Sequence, residues 1–197
     1  MLDNLIRYYA NVSDMAIENL KQEKKFQFRK HLTNHSLLKV VEDNYEKISN
    51  SKEAKKMIAD YMASMNNMYT VAREDYNRTL SLLKATKDPI VKQKIIDQYA
   101  ERGITGFIAK NGARWNIETY SNMATTHFNN ELVRLSVLET VGPDEKVKVS
   151  KSPRPCEKCI PYENKILTLQ QLEEAKENGL FHVRCLHFFT KVVWINE

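Results

Sequence analysis

From Ala54 to Leu83 the chain repeats a single pattern. Ala54, Met57, Ile58, Tyr61, Met62, Met65, Met68, Ala72, Tyr76, Leu80 and Leu83 recur at helical spacing. That is the apolar stripe of one amphipathic helix about eight turns long. Ser49 and Ser51 both stand where an N-cap belongs. A helix of this length draws its stability from covering its stripe, so it must lie along other helices of the chain or along a second copy. The spacing therefore predicts a largely helical body, with self-association through the long helix.

The flanking segments extend that reading. Leu2, Leu5, Ile6, Tyr9, Val12, Ala16 and Leu20 define an N-terminal helix. A basic stretch follows, with Phe26 and Phe28 set among Lys24, Lys25, Arg29 and Lys30. Pro89 opens a shorter helix through Val91, Ile95, Ile96 and Tyr99, and Gly103 ends it. Asn111-Gly112, between Phe107-Ile108 and Arg114-Trp115, signals a β-hairpin. Asn116 then caps a helix carrying Ile117, Tyr120, Ala124, Phe128 and Leu135 on one side, with Gly142-Pro143 as its stop.

Beyond that stop the periodicity shortens. Val147 and Val149 alternate with lysines as in a strand, "KILTL" reads as a second strand, and "LHFFTKVVW" as a closing one. Between the last two, Thr168 caps "LQQLEEAKEN", which Asn178-Gly179 terminates. The fold class is α+β: a mostly helical N-terminal two thirds, then a small mixed α/β zinc-stabilised module. The expected divisions are a helical region 1–102, a connecting hairpin and helix 103–142, and a zinc-binding module 143–197.

The zinc expectation comes from the cysteines. All three, Cys156, Cys159 and Cys185, fall within this last module, together with His182 and His187. C-x2-C places two thiolates on one tight turn, and His182 and Cys185 repeat the spacing as H-x2-C. Zinc takes four tetrahedral ligands from thiolate and imidazole, and here there are five candidates. The favoured set is Cys156, Cys159, His182 and Cys185, with His187 either replacing His182 or standing behind the ligands. Strands, one helix and two turns build little core, so a structural zinc ion suits the module. A redox C-x-x-C normally opens a helix after a strand, whereas Pro155 and Pro161 bracket a turn here. No H-E-x-x-H pattern frames Glu157 or Glu163 for metal-assisted hydrolysis.

Composition excludes several classes. Three cysteines are an odd number for a disulfide framework. The N-terminus carries Asp3 and Asn4 where a signal peptide would carry positive charge, and no stretch approaches the roughly 18 apolar residues of a membrane span. The net charge of +5 favours an acidic partner, though acids are interspersed with the bases throughout. Lys146, Lys148, Lys151, Arg154 and Lys158 set positive charge beside the cysteines, as a solvated rim or a contact for phosphates. There is no glycine-rich phosphate loop and no G-x-S-x-G nucleophile elbow. His127 reads as a packed or half-exposed histidine.

Several short motifs in order resemble the minor capsid, or head-morphogenesis, proteins of tailed phages. They are Gly103-Ile104-Thr105, Gly112-Ala113-Arg114-Trp115, Tyr120 to Met123, the C-x2-C pair, Lys165-Ile166-Leu167, and Gly179-Leu180-Phe181-His182 through Cys185 and His187. The resemblance covers roughly residues 50–197. This chain departs from the family pattern by inserting Ala113, and by carrying Val183-Arg184 for proline-asparagine and Leu186 for arginine. The resemblance implies a non-enzymatic virion protein, assembled in the host cytoplasm near the portal in few copies. Its partners would be portal, capsid or scaffold proteins, and DNA that is packaged or ejected. On the residues alone, a zinc-dependent nuclease with His187 as base and a zinc-ribbon nucleic-acid binder are the alternatives.

Overall fold

The computed structural model describes residues 2–28, 34–48 and 50–193. In chain order the helices are α1 (Leu2–Lys21), α2 (Asn34–Asn44), α3 (Lys52–Ala85), α4 (Pro89–Arg102), α5 (Ile117–Leu138) and α6 (Leu169–Glu177). The strands are β1 (Thr105–Ile108), β2 (Arg114–Asn116), β3 (Lys146–Val149), β4 (Ile166–Thr168) and β5 (Phe189–Lys191). This is the α+β arrangement expected. No helix among the described residues is long and apolar enough to cross a membrane. Two compact units form, each discontinuous in sequence: Met1–Leu37 with Ile58–Thr125, and Leu38–Met57 with Thr126–Glu197.

In the first unit, the stripe of α3 is spent inside the chain. Ile58, Met65, Met68, Ala72, Tyr76 and Leu83 are all buried. Tyr76 is a hub: its hydroxyl donates to the Lys24 carbonyl at 2.7 Å, and Phe26, Phe28 and Tyr99 lie around its ring. The two phenylalanines of the basic stretch thus serve packing, while Arg29 and Lys30 lie outside the described residues. On α1, Val12, Ala16 and Leu20 are buried as expected, and the side chains of Leu2, Leu5, Ile6 and Tyr9 lie outside the description. α1 runs against α4. Among the described residues, the stripe of the long helix is covered by the chain itself.

A buried carboxylate fastens the hairpin to α3. Asp75 accepts from Arg102 Nη1 and Nη2 at 2.8 and 3.1 Å and from the Thr105 amide at 3.1 Å, with Arg114 at 3.8 Å. The glycine-isoleucine-threonine and arginine-tryptophan motifs therefore meet at one anion. β1 and β2 pair antiparallel, Phe107 opposite Trp115, with an irregularity between Thr105 and Phe107. Gly106 stands in that irregularity. A Cβ there would lie 2.9 Å from Met68 and 3.0 Å from the Ile117 backbone, so only glycine lets the strand approach α3 this closely. The turn spans 110–112 and is wider than the two-residue turn that Asn-Gly suggests. The Gly112 amide bonds back to Ala109, with Gly112 at φ +81°.

The caps read from sequence are present. Ser51 accepts from the Ala54 amide, Asn116 from Thr119, and Thr168 forms a full capping box with Gln171. Ser49 lies outside the described residues. α2 was not anticipated, although its buried Leu37, Val40 and Val41 carry helical spacing. α5 ends at Leu138, ahead of the expected stop, and the closing strand is confined to Phe189–Lys191, with Trp194 outside the description. On α5, Ile117, Tyr120 and Phe128 are buried, whereas Ala124 and Leu135 are half-buried.

In the second unit, β3 is central to an antiparallel sheet of order β4-β3-β5. Val147 and Val149 face a cluster with Leu167, Leu172, Leu180, Phe181 and Phe189, while Lys146 and Lys148 face outward. Cys159 and Cys185 belong to that same buried cluster.

Candidate metal centre

Two tight turns present the sulfur and nitrogen donors. In the first, the Cys159 amide bonds to the Cys156 carbonyl at 2.9 Å. In the second, the Cys185 amide bonds to the His182 carbonyl at 2.8 Å. Each turn carries a donor at both of its ends, which is how a pair three residues apart can face one ion. In the second turn, Arg184 adopts φ +71° at the third position. Positive φ there is the signature of a type II turn, for which proline second and asparagine or glycine third are the favoured residues. The proline-asparagine of the family pattern has its physical reason in this geometry. Phe181, just before the turn, is also left-handed at φ +63°.

The donors gather in two groups. Cys156 Sγ lies 3.0 Å from His182 Nε2 and 3.5 Å from Cys159 Sγ. Cys159 Sγ lies 3.7 Å from Cys185 Sγ, which in turn is 3.4 Å from His187 Nδ1. Two overlapping triads result, Cys156–Cys159–His182 and Cys159–Cys185–His187, sharing Cys159, with the donor atoms of each within 4.8 Å of one another. All five sequence candidates are thus brought together, and all three cysteines are free thiols.

The environment splits the thiols. Burial pushes Cys159 up to about 12, helped by the adjacent Cys156 and Cys185. Burial also raises Cys156, but hydrogen bonds with Cys159, His182 and the Lys158 backbone outweigh it and bring the thiol down to about 7. Cys185 Sγ accepts from the His187 amide at 3.4 Å. A donor set of thiolates and imidazoles selects zinc or another soft ion over magnesium or calcium.

Residues outside the candidate donor set hold this constellation. Arg134 of α5 is 2% exposed. It donates to the His187 carbonyl from Nε at 3.2 Å and from Nη2 at 2.8 Å, and to the Cys185 carbonyl from Nη2 at 3.2 Å. It also pairs with Glu131, and its guanidinium sits 4.4 Å from the Phe181 ring centre. Asn130, one turn earlier, donates to the Cys185 carbonyl at 3.3 Å. Glu163 accepts from the Ser152 amide at 2.7 Å and lies 3.0 Å from His187 Nε2. The Ser152 bond, then His187, holds its carboxyl below the usual range. Two polar residues spaced i, i+4 on one helix were the available signal for Asn130 and Arg134. His127 is half-buried, and burial lowers its basicity.

An α+β chain with six α-helices among its described residues and a cysteine–histidine cluster towards its C-terminal end fits the resemblance drawn from its motifs. The phage minor capsid protein 2 family matches over residues 3–194, and the chain belongs to that family. The match reaches well upstream of the residues that carry the motifs. No curated protein and no solved structure matches the chain.

Proposed function

We propose that the protein is a structural component of the phage head, built in near the portal through contacts with portal, capsid or scaffold proteins. In this reading its C-terminal unit is closed by one zinc ion. The ligands are Cys156, Cys159 and Cys185, with His182 or His187 as the fourth. The observation that carries the zinc reading is the gathering of five sulfur and nitrogen donors, four on two tight turns and His187 just beyond the second, into two triads that share Cys159, beside a small apolar cluster that includes two of those cysteines. A cluster of that size gains stability from a metal, because ligand binding energy becomes folding energy.

The role is structural rather than catalytic. In the nuclease alternative His187 was the base, but it is 1% exposed, with one nitrogen beside Glu163 and the other beside Cys185. Such a ring has no face to offer a substrate. Contact with packaged or ejected DNA is supported by Lys146, Lys148, Lys151, Arg154 and Lys158, all exposed on the second unit. The assembly reading is tested by protein mass spectrometry of purified heads and of heads lacking the portal. Loss of the chain from portal-less heads is expected, and full retention would refute the portal assignment. The zinc reading is tested by elemental analysis of the purified protein. One zinc per chain, lost in Cys159→Ser, is expected; a folded, metal-free wild type with three titratable thiols would refute it.

A further inference from the structure

The five donors are not equivalent, and the difference lies in what burial costs each histidine. His182 is half-exposed; its Nδ1 meets the Val183 carbonyl at 2.7 Å, and solvent can satisfy the ring. His187 is 1% exposed and held on three sides. Its carbonyl is bound by Arg134, its amide by Cys185 Sγ, and its Nε2 by a carboxylate that the Ser152 amide already fixes. With Nε2 turned to Glu163 at 3.0 Å, Nδ1 faces Cys185 Sγ at 3.4 Å. A buried ring with one nitrogen on a carboxylate and the other on a cysteine sulfur needs a reason beyond packing. A ligand nitrogen backed by a carboxylate supplies one: the carboxylate sets the tautomer, aims the other nitrogen at the ion and raises its basicity.

We propose that His187 is the fourth metal ligand, through Nδ1, and that Glu163 is its positioning residue; this rests on the zinc reading above. The ion is held by Cys156, Cys159, Cys185 and His187, and His182 covers the exposed Cys156 edge without occupying a coordination position. Glu163 then ties the loop after β3, through Ser152, to the turn that leads into β5.

The test loads the full chain, with labelled imidazole nitrogens, with NMR-active cadmium and reads scalar coupling between metal and nitrogen. Coupling to Nδ1 of His187 and none to His182 is the expected result. Coupling to Nε2 of His182 with His187 silent overturns the assignment while leaving a metal site in place. Absence of any bound cadmium or zinc overturns the underlying reading as well. Zinc competition against a chromophoric chelator tests Glu163 separately. Glu163→Gln should keep one ion per chain with affinity about 10- to 100-fold weaker, and His182→Ala should stay close to wild type. Unchanged affinity in Glu163→Gln refutes the positioning role, because a merely structural hydrogen bond survives that exchange.

Discussion

Replacing Arg134 by methionine should loosen the ligand-bearing turn even when no metal is present. The side chain keeps much of its bulk, so the effect comes from polar partners rather than a cavity. The His187 carbonyl accepts twice from Arg134, whereas the Cys185 carbonyl accepts from both Arg134 and Asn130. The substitution therefore strips the first carbonyl and leaves the second one donor. A buried acceptor without its partner costs about 1–3 kcal/mol, and losing the cation over Phe181 adds about 0.5–2 kcal/mol. Recovery of the desolvation penalty of the guanidinium offsets part of this, and Glu131, 32% exposed, rehydrates readily. The net expectation is a loss of about 2–4 kcal/mol, confined to the second unit. A global unfolding midpoint would blend the two units, so the assay is native-state hydrogen exchange in excess chelator, read at the amides of Cys185, His187 and β5. Exchange there should accelerate roughly thirty- to thousand-fold while Tyr76 and its neighbours are unaffected. Adding Asn130→Ala should cost more in the Arg134→Met background than alone, because it then removes the last donor to Cys185. Wild-type exchange rates at these amides, or equal acceleration in both units, would refute the reasoning.

Two further outcomes follow from polar and backbone geometry. Asp75→Asn keeps an acceptor for the buried Thr105 amide but loses the charge opposite Arg102. Discounted for the 40% exposure of Arg102, it should destabilise the first unit by about 1–2 kcal/mol. Trp115 fluorescence during urea unfolding of a Trp194→Phe background reads this locally, and an unshifted midpoint contradicts it. Arg184→Asn relieves a left-handed backbone and should stabilise the metal-free second unit by about 0.5–1 kcal/mol, seen as slower exchange at Cys185. A loss instead of a gain would show that the contacts of the Arg184 side chain outweigh the strain of its backbone.

The legible part of this protein is what neighbours in sequence decide. α3 and α5, the caps at Ser51, Asn116 and Thr168, the hairpin, and the two donor pairs three residues apart all follow from periodicity or turn chemistry acting over about four residues. α2 carries the same signal in Leu37, Val40 and Val41, but its stripe spans little more than one turn. The long helix shows the limit of such reasoning. Its stripe demanded a cover, and periodicity could not say whether a second copy or the same chain would supply it.

What only tertiary structure decided is polar burial. Asn130 reaches Cys185 across 55 positions, Arg134 reaches His187 across 53, and Glu163 reaches His187 across 24. Asp75 gathers Arg102 and Thr105 from 27 and 30 positions away. A charged side chain on a helix reads as solvated until its partners are known, since its burial is tolerable only when distant groups complete its hydrogen bonds. The sequence by itself named the sulfur and nitrogen donors, because a tight turn brings residues i and i+3 together wherever it sits in the fold. Which histidine lies buried against a carboxylate, and which stands at the surface, depends on how strands and helices remote in sequence close around the two turns.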